Sequence, residues 1–166
     1  MPKIQFFALI ISVFFLKCEK NVLEPESQFL KIHFHYGLNN ELNTFEQTYQ
    51  KDLVLDGTVK IPFWLTAVKQ EQILIKVQTI HFFQFPDTIK YKPEADSIAV
   101  VMVPNPSRQF LRIQYHQQDK TVNWHYPLPE DNEYVPLLLE LTGLIIEIIK
   151  SKPEYQSLPP ARGWYV

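Results

Sequence analysis

The residues of this chain best suited to chemistry are its histidines and the carboxylates near its turns. His33 and His35 stand two apart in an alternating segment, so both fall on one strand face and could fill two corners of a metal site. His116 and His125 fall on the polar face of a predicted hairpin. If that hairpin lies beside the strand of His33, three imidazoles converge. The spacing matches no zinc signature, and solvated strand histidines are the plainer reading. Acid–base work would fall to Asp52, Asp56, Asp87 and Asp96, but each lies near a turn or loop, where aspartate is ordinary turn chemistry. No G-x-S-x-G, glycine-rich phosphate loop or H-E-x-x-H motif is present, so no residue is assigned a catalytic role. Recognition has better candidates. Trp64 lies opposite the apolar face of its strand and leads them, followed by Tyr126 and Trp164. Packing of the C-terminal tail on an edge strand would account for Trp64 equally well.

The elements that must position these residues follow from hydrophobic period. From Phe29 to Tyr36, Leu30, Ile32, Phe34 and Tyr36 alternate with Lys31, His33 and His35, which predicts a half-buried strand ending at Gly37 and a loop over Leu38-Asn39-Asn40. Thr44–Leu55 and Thr58–Leu65 predict a hairpin about Asp56-Gly57, with Pro62 marking an edge strand. A two-residue turn there sets Ile61 opposite Asp52, whereas the apolar pattern sets it opposite Leu53; a bulge or a three-residue loop would reconcile the two. Thr66 predicts the N-cap of a helix from Ala67 to about Thr79, striped by Ile73, Leu74, Val77 and Ile80. Phe82, Phe83 and Phe85 predict a core plug at its exit, and 87–96 a loop. Ile98–Val103 is a continuous apolar run and predicts a central strand. Phe110–His116 and Thr121–Tyr126 predict a hairpin through a turn at Gln118-Asp119. That register pairs Leu111 with Tyr126, Ile113 with Trp124 and Tyr115 with Val122. Pro127–Pro136 reads as a loop and Leu137–Lys150 as the main covering helix, its apolar side formed by Leu137, Leu138, Leu141, Leu144, Ile145, Ile148 and Ile149. The tail from Pro153 reads as extended, with Leu158, Trp164 and Tyr165 laid along the body.

The first eighteen residues set the expected address. Lys3 precedes a thirteen-residue apolar run, Ile4 to Leu16, and Cys18 follows. As a helix that run spans about 20 Å, short of a bilayer core about 30 Å thick, so it matches a secretory signal rather than a span. No small-residue cleavage site precedes a conventional cut, and the lone cysteine after the run has the geometry of a lipoprotein signal, acylated on its thiol. Lys17 stands where such signals usually place a small residue. The expected organisation is a lipoprotein-type signal peptide over 1–17, a polar tether over 18–28 and a single domain over 29–166. The expected setting is the cell envelope, lipid-anchored and extracytoplasmic, with the membrane as partner through Cys18. With one cysteine there is no internal disulfide or multi-cysteine zinc site. Beyond Lys17, fourteen basic residues against eighteen acidic ones leave the body at −4, which gives no footprint for nucleic acid.

Three stretches carry a resemblance: Asn43-Thr44-Phe45-Glu46 through Lys51-Asp52, Ile80-His81-Phe82-Phe83 with Pro86-Asp87, and Ser151-Lys152-Pro153-Glu154-Tyr155 through Leu158-Pro159 to Gly163-Trp164-Tyr165. Together they resemble a family of small, uncharacterised bacterial lipoproteins. The resemblance implies an exported α+β domain and assigns no catalytic residue. The whole sequence therefore predicts a single α+β domain, a mostly antiparallel sheet of five or six strands covered by two helices. The function it predicts is a non-enzymatic binding or envelope-interaction module without a cofactor, for which an envelope protein is a candidate partner. A metal protein or enzyme using the strand histidines, and a secreted protein inhibitor, are the alternatives.

Overall fold

The computed structural model describes residues 30–90 and 109–164. Strands β1 (Lys31–Tyr36), β2 (Asn40–Asn43), β3 (Thr48–Asp52) and β4 (Thr58–Pro62) form a meander. Helix α1 (Ala67–Thr79) and a 3-10 turn (Phe82–Gln84) lead to β5 (Thr88–Ile89). The hairpin β6 (Gln109–Tyr115) and β7 (Gln118–Trp124), helix α2 (Tyr134–Ser151) and the short α3 (Pro153–Gln156) complete the chain. The sheet order is β4-β3-β2-β1-β6-β7-β5, antiparallel throughout except for β5 on β7. The α+β architecture is as the sequence predicts, with seven strands among the described residues in place of five or six. Among the described residues no helix is long and apolar enough to cross a membrane.

One sheet face makes the core. Ile32, Phe34, Leu42, Tyr49, Leu111, Ile113, Val122 and Trp124 point to it and are buried. They meet Ile73 and Val77 of α1 and Leu138, Leu141, Ile145, Ile148 and Ile149 of α2. The chain leaves β4 at one edge and reaches β5 at the other. Six interstrand steps of about 4.8 Å require a crossing of roughly 29 Å, which a thirteen-residue helix of about 20 Å and the turn after it supply. Thr66 caps α1, its hydroxyl accepting from the Lys69 amide at 3.4 Å. Phe82 and Phe85 are fully buried as a plug, with Phe85 edge-on to Tyr134 at 4.9 Å; Phe83 is only half-buried.

Several local expectations are corrected. The strand expected over Thr44–Leu55 is confined to Thr48–Asp52, and Asn40, expected in a loop, opens a separate strand, Asn40–Asn43; between the two, Asn43 Oδ1 accepts the amides of Phe45 and Glu46 and turns the chain. The Asp56-Gly57 hairpin opens into a five-residue loop, Leu53 to Gly57. Asp52 then faces Thr58 and Tyr49 faces Ile61, so neither register read from the sequence forms. Leu53 N–H donates to Gly57 O at 2.8 Å, and Asp52 Oδ1 takes the Val54 amide at 2.9 Å.

The β6–β7 turn lies at His116-Gln117, not Gln118-Asp119, so Leu111 faces Val122 and Ile113 faces Lys120. The slip is even, so every side chain keeps its face. It lengthens the ladder and frees Asp119 from the turn to bind the Arg112 guanidinium at 2.6 and 2.9 Å. Helix α2 starts at Tyr134, three residues early, since Pro136 falls in its first turn, where an amide has no helical partner. The tail is not wholly extended. Pro153 opens α3, and the chain then returns to the β3–β4 loop through a parallel bridge from Arg162 to Val54. The expected strand Ile98–Val103, the leader and Cys18 lie outside the described residues.

Candidate functional site

The site with the most recognition chemistry is a cleft of about 360 Å³ beside the β4 edge, within the range of small-molecule pockets. Leu30 and Lys31 bring it the start of β1; Thr44, Phe45 and Gln47 come from the β2–β3 turn. Phe63, Trp64 and Leu65 run off the end of β4, and Gln70 belongs to the first turn of α1. Local bonds fix this arrangement. Thr44 exchanges hydrogen bonds with Ile32, its amide donating to Ile32 O at 2.8 Å and its hydroxyl accepting from Ile32 N–H at 2.7 Å. Phe63 N–H reaches Gln47 O at 2.8 Å, and Gln70 Nε2 donates to Leu65 O at 3.0 Å.

Strand alternation then decides which rings are offered. Phe63 and Leu65 are buried, so Trp64 between them faces out and remains 51% exposed. The tail does not cover it: Arg162 joins the opposite end of the β3–β4 hairpin, and Lys51 Nζ holds Pro159 O at 2.7 Å. Phe45 is half-buried, with the Arg112 guanidinium 4.7 Å and the Lys31 ammonium 5.6 Å from its ring centre. Two aromatic rings, one lysine and the amides of Gln47 and Gln70 can hold an amphipathic molecule. Phe45, Lys31 and Gln70 were not singled out by the sequence, because they are distant along the chain from Trp64. The only signal was Asn43, whose turn lifts Phe45 to the cleft.

Phe63 N–H points inward to β3, so alternation turns the backbone groups of Thr58, Lys60 and Pro62 outward. Pro62 has no N–H to give, and Lys60 binds Glu46 at 3.3 Å. Both blunt the edge against addition of a strand.

The histidines do not assemble. Strand β6 does lie beside β1, but its register sets Arg112 opposite His33 and Phe110 opposite His35. His33 Nε2 meets Glu41 Oε1 at 2.7 Å, and the ring stands edge-on to Phe110 at 4.8 Å. His35 stacks on the same phenyl ring at 5.9 Å, its buried Nδ1 without a hydrogen-bond partner among the described residues. His116 occupies the β6–β7 turn against Tyr115, and His125 is exposed beyond the end of β7. Among the described residues no group of three His, Cys, Asp or Glu side chains is close enough to hold a metal ion.

The turn carboxylates serve structure. Asp52 holds Val54 and Asn39, Asp56 pairs with Arg162, and Asp87 pairs with Lys120. Hydrogen bonding from Arg162 lowers the Asp56 pKa below its ordinary value, and Arg112 does the same for Asp119. Asp96 lies outside the described residues. Tyr126 and Trp164 are 51% and 81% exposed and line no part of the cleft; Trp164 is thus not laid down on the body as expected.

On the core side, Tyr36 and Tyr49 join hydroxyl to hydroxyl at 2.8 Å. Burial pushes the Tyr36 phenol up to about 12 and raises Tyr49 further. Comparison of this chain with protein-family models, with curated proteins and with solved structures finds no match.

Proposed function

We propose that this protein is a membrane-tethered binding module of the cell envelope that takes a small amphipathic ligand in the Trp64–Phe45 cleft. The observation that carries this reading is Trp64, half-exposed on the wall of a 360 Å³ cleft while the residues on either side of it are buried. A large ring held in place by its backbone gives contact area at low entropic cost. The blunted β4 edge favours a ligand in the cleft over a strand added to the sheet. Saturation-transfer NMR against a library of small amphipathic molecules tests the reading. Hits should be lost in Trp64→Ala and reduced in Phe45→Ala, with the fold intact by circular dichroism. Hits that survive both changes would move the site elsewhere.

The tether is the second half of the proposal, supported by Lys3, the apolar run to Leu16 and Cys18. Intact mass of the protein processed in a bacterial host tests it. An acylated chain beginning at Cys18, absent in Cys18→Ser, is the expected product, and an unmodified chain beginning at Met1 would refute the anchor.

A further inference from the structure

We propose that the ligand of the cleft is an anion, a free small carboxylate with an apolar or aromatic body. Lys31 supplies the counter-charge, and Trp64 and Phe45 hold the body. The proposal rests on the cleft being the binding site. Lys31 is the one ionisable residue among the described residues that line it. Elsewhere six of the described cations find carboxylates: Lys60 with Glu46, Lys76 with Glu140, Lys120 with Asp87, Lys152 with Glu154, Arg112 with Asp119 and Arg162 with Asp56. Lys51 holds Pro159 O and Lys69 holds Gln72 Oε1, and neither lines the cleft. Among the described residues the Lys31 ammonium has no carboxylate partner, and it stands 5.6 Å from the Phe45 ring. Glu46 follows Phe45 directly in the chain, but its carboxylate is held by Lys60 at 3.3 Å.

Charge therefore reverses locally. In a body at −4, the described residues of this concave site present one positive group and no negative one. The Arg112 guanidinium also stands 4.7 Å from the Phe45 ring centre, but its charge is offset by Asp119, which leaves Lys31 as the counter-charge. A carboxylate entering between the rings can accept a charge-assisted bond from Lys31. An ammonium in the same position would meet that charge unscreened by any lining carboxylate.

Three compounds of one shape test this: 4-phenylbutyrate, its neutral amide and the corresponding amine, titrated by calorimetry at low salt. The carboxylate should bind about three- to fivefold more tightly than the amide, as a partly exposed charge pair warrants, and the amine should bind weakest. Lys31→Gln should remove the difference between carboxylate and amide while leaving the amide unchanged, and 0.5 M salt should narrow it. Equal binding of amide and carboxylate, or preference for the amine, would overturn the proposal while leaving the cleft a binding site. Failure of all three to bind wild type, with the Trp64 signal unmoved, would overturn both.

Discussion

Removing one hydroxyl from the Tyr36–Tyr49 pair tests how this core handles a buried polar group. The Tyr49 side chain is fully buried and its hydroxyl meets the Tyr36 hydroxyl at 2.8 Å. Its other contact, Asn40 Oδ1, is at 3.5 Å, the limit of a hydrogen bond, and that oxygen already accepts the Asp52 amide at 3.1 Å. Tyr36→Phe therefore strands a buried hydroxyl and should cost about 1–2 kcal/mol. Tyr49→Phe leaves the hydroxyl of Tyr36, a residue that is only half-buried where Tyr49 is fully buried, and should cost about 0.5–1 kcal/mol. The double variant leaves no hydroxyl unpaired, so its loss should fall short of the sum by about 1 kcal/mol. Urea unfolding measures this directly. With a slope of about 2 kcal/mol/M, the Tyr36→Phe midpoint should fall by roughly 0.5–1 M. Additive single losses would refute the reasoning.

The same pair gives a pH window. Burial raises both phenols above their ordinary 10, Tyr36 to about 12, so the folded chain keeps protons that the unfolded chain has released. Their contribution to stability is whole below about pH 10 and is lost as pH rises toward 12. The double variant should show a shallower decline than wild type over that window, and parallel curves would contradict the assignment. Thr66→Ala removes the cap of α1; because the bond is long at 3.4 Å, the loss should lie near 0.5–1 kcal/mol in thermal unfolding. His116 opens the β6–β7 turn with φ 51°, so His116→Gly should stabilise by about 0.5–1 kcal/mol. A loss there would favour the Gln118-Asp119 turn instead.

Much of the fold was legible because its period was clean. Helix α1, with its Thr66 cap and the Ile73–Val77 stripe, is read residue by residue from the sequence. The alternation of β1 and the edge position signalled by Pro62 likewise match the sheet. What failed was register and length. An even slip leaves the pattern of Leu111, Ile113, Val122 and Trp124 unchanged, so hydrophobicity could not choose between the two turns; the Arg112–Asp119 pair does. Strand β2, Asn-Glu-Leu-Asn, has the composition of a loop, and only its place between β1 and β3 makes it a strand. Of the site, Trp64 was visible because its neighbours alternate. Lys31, Phe45 and Gln70 were not, since only the sheet and the α1 start bring them to it.

The central claim, that the Trp64 cleft is where this protein binds, meets its most direct test in the indole N–H signals of its three tryptophans. Trp64 lines the cleft, Trp124 is buried in the core and Trp164 lies 81% exposed outside it. Titration of the labelled protein with 4-phenylbutyrate should move the Trp64 signal to saturation and leave those of Trp124 and Trp164 in place. Movement of Trp164 alone, or three signals that never move, would contradict the account.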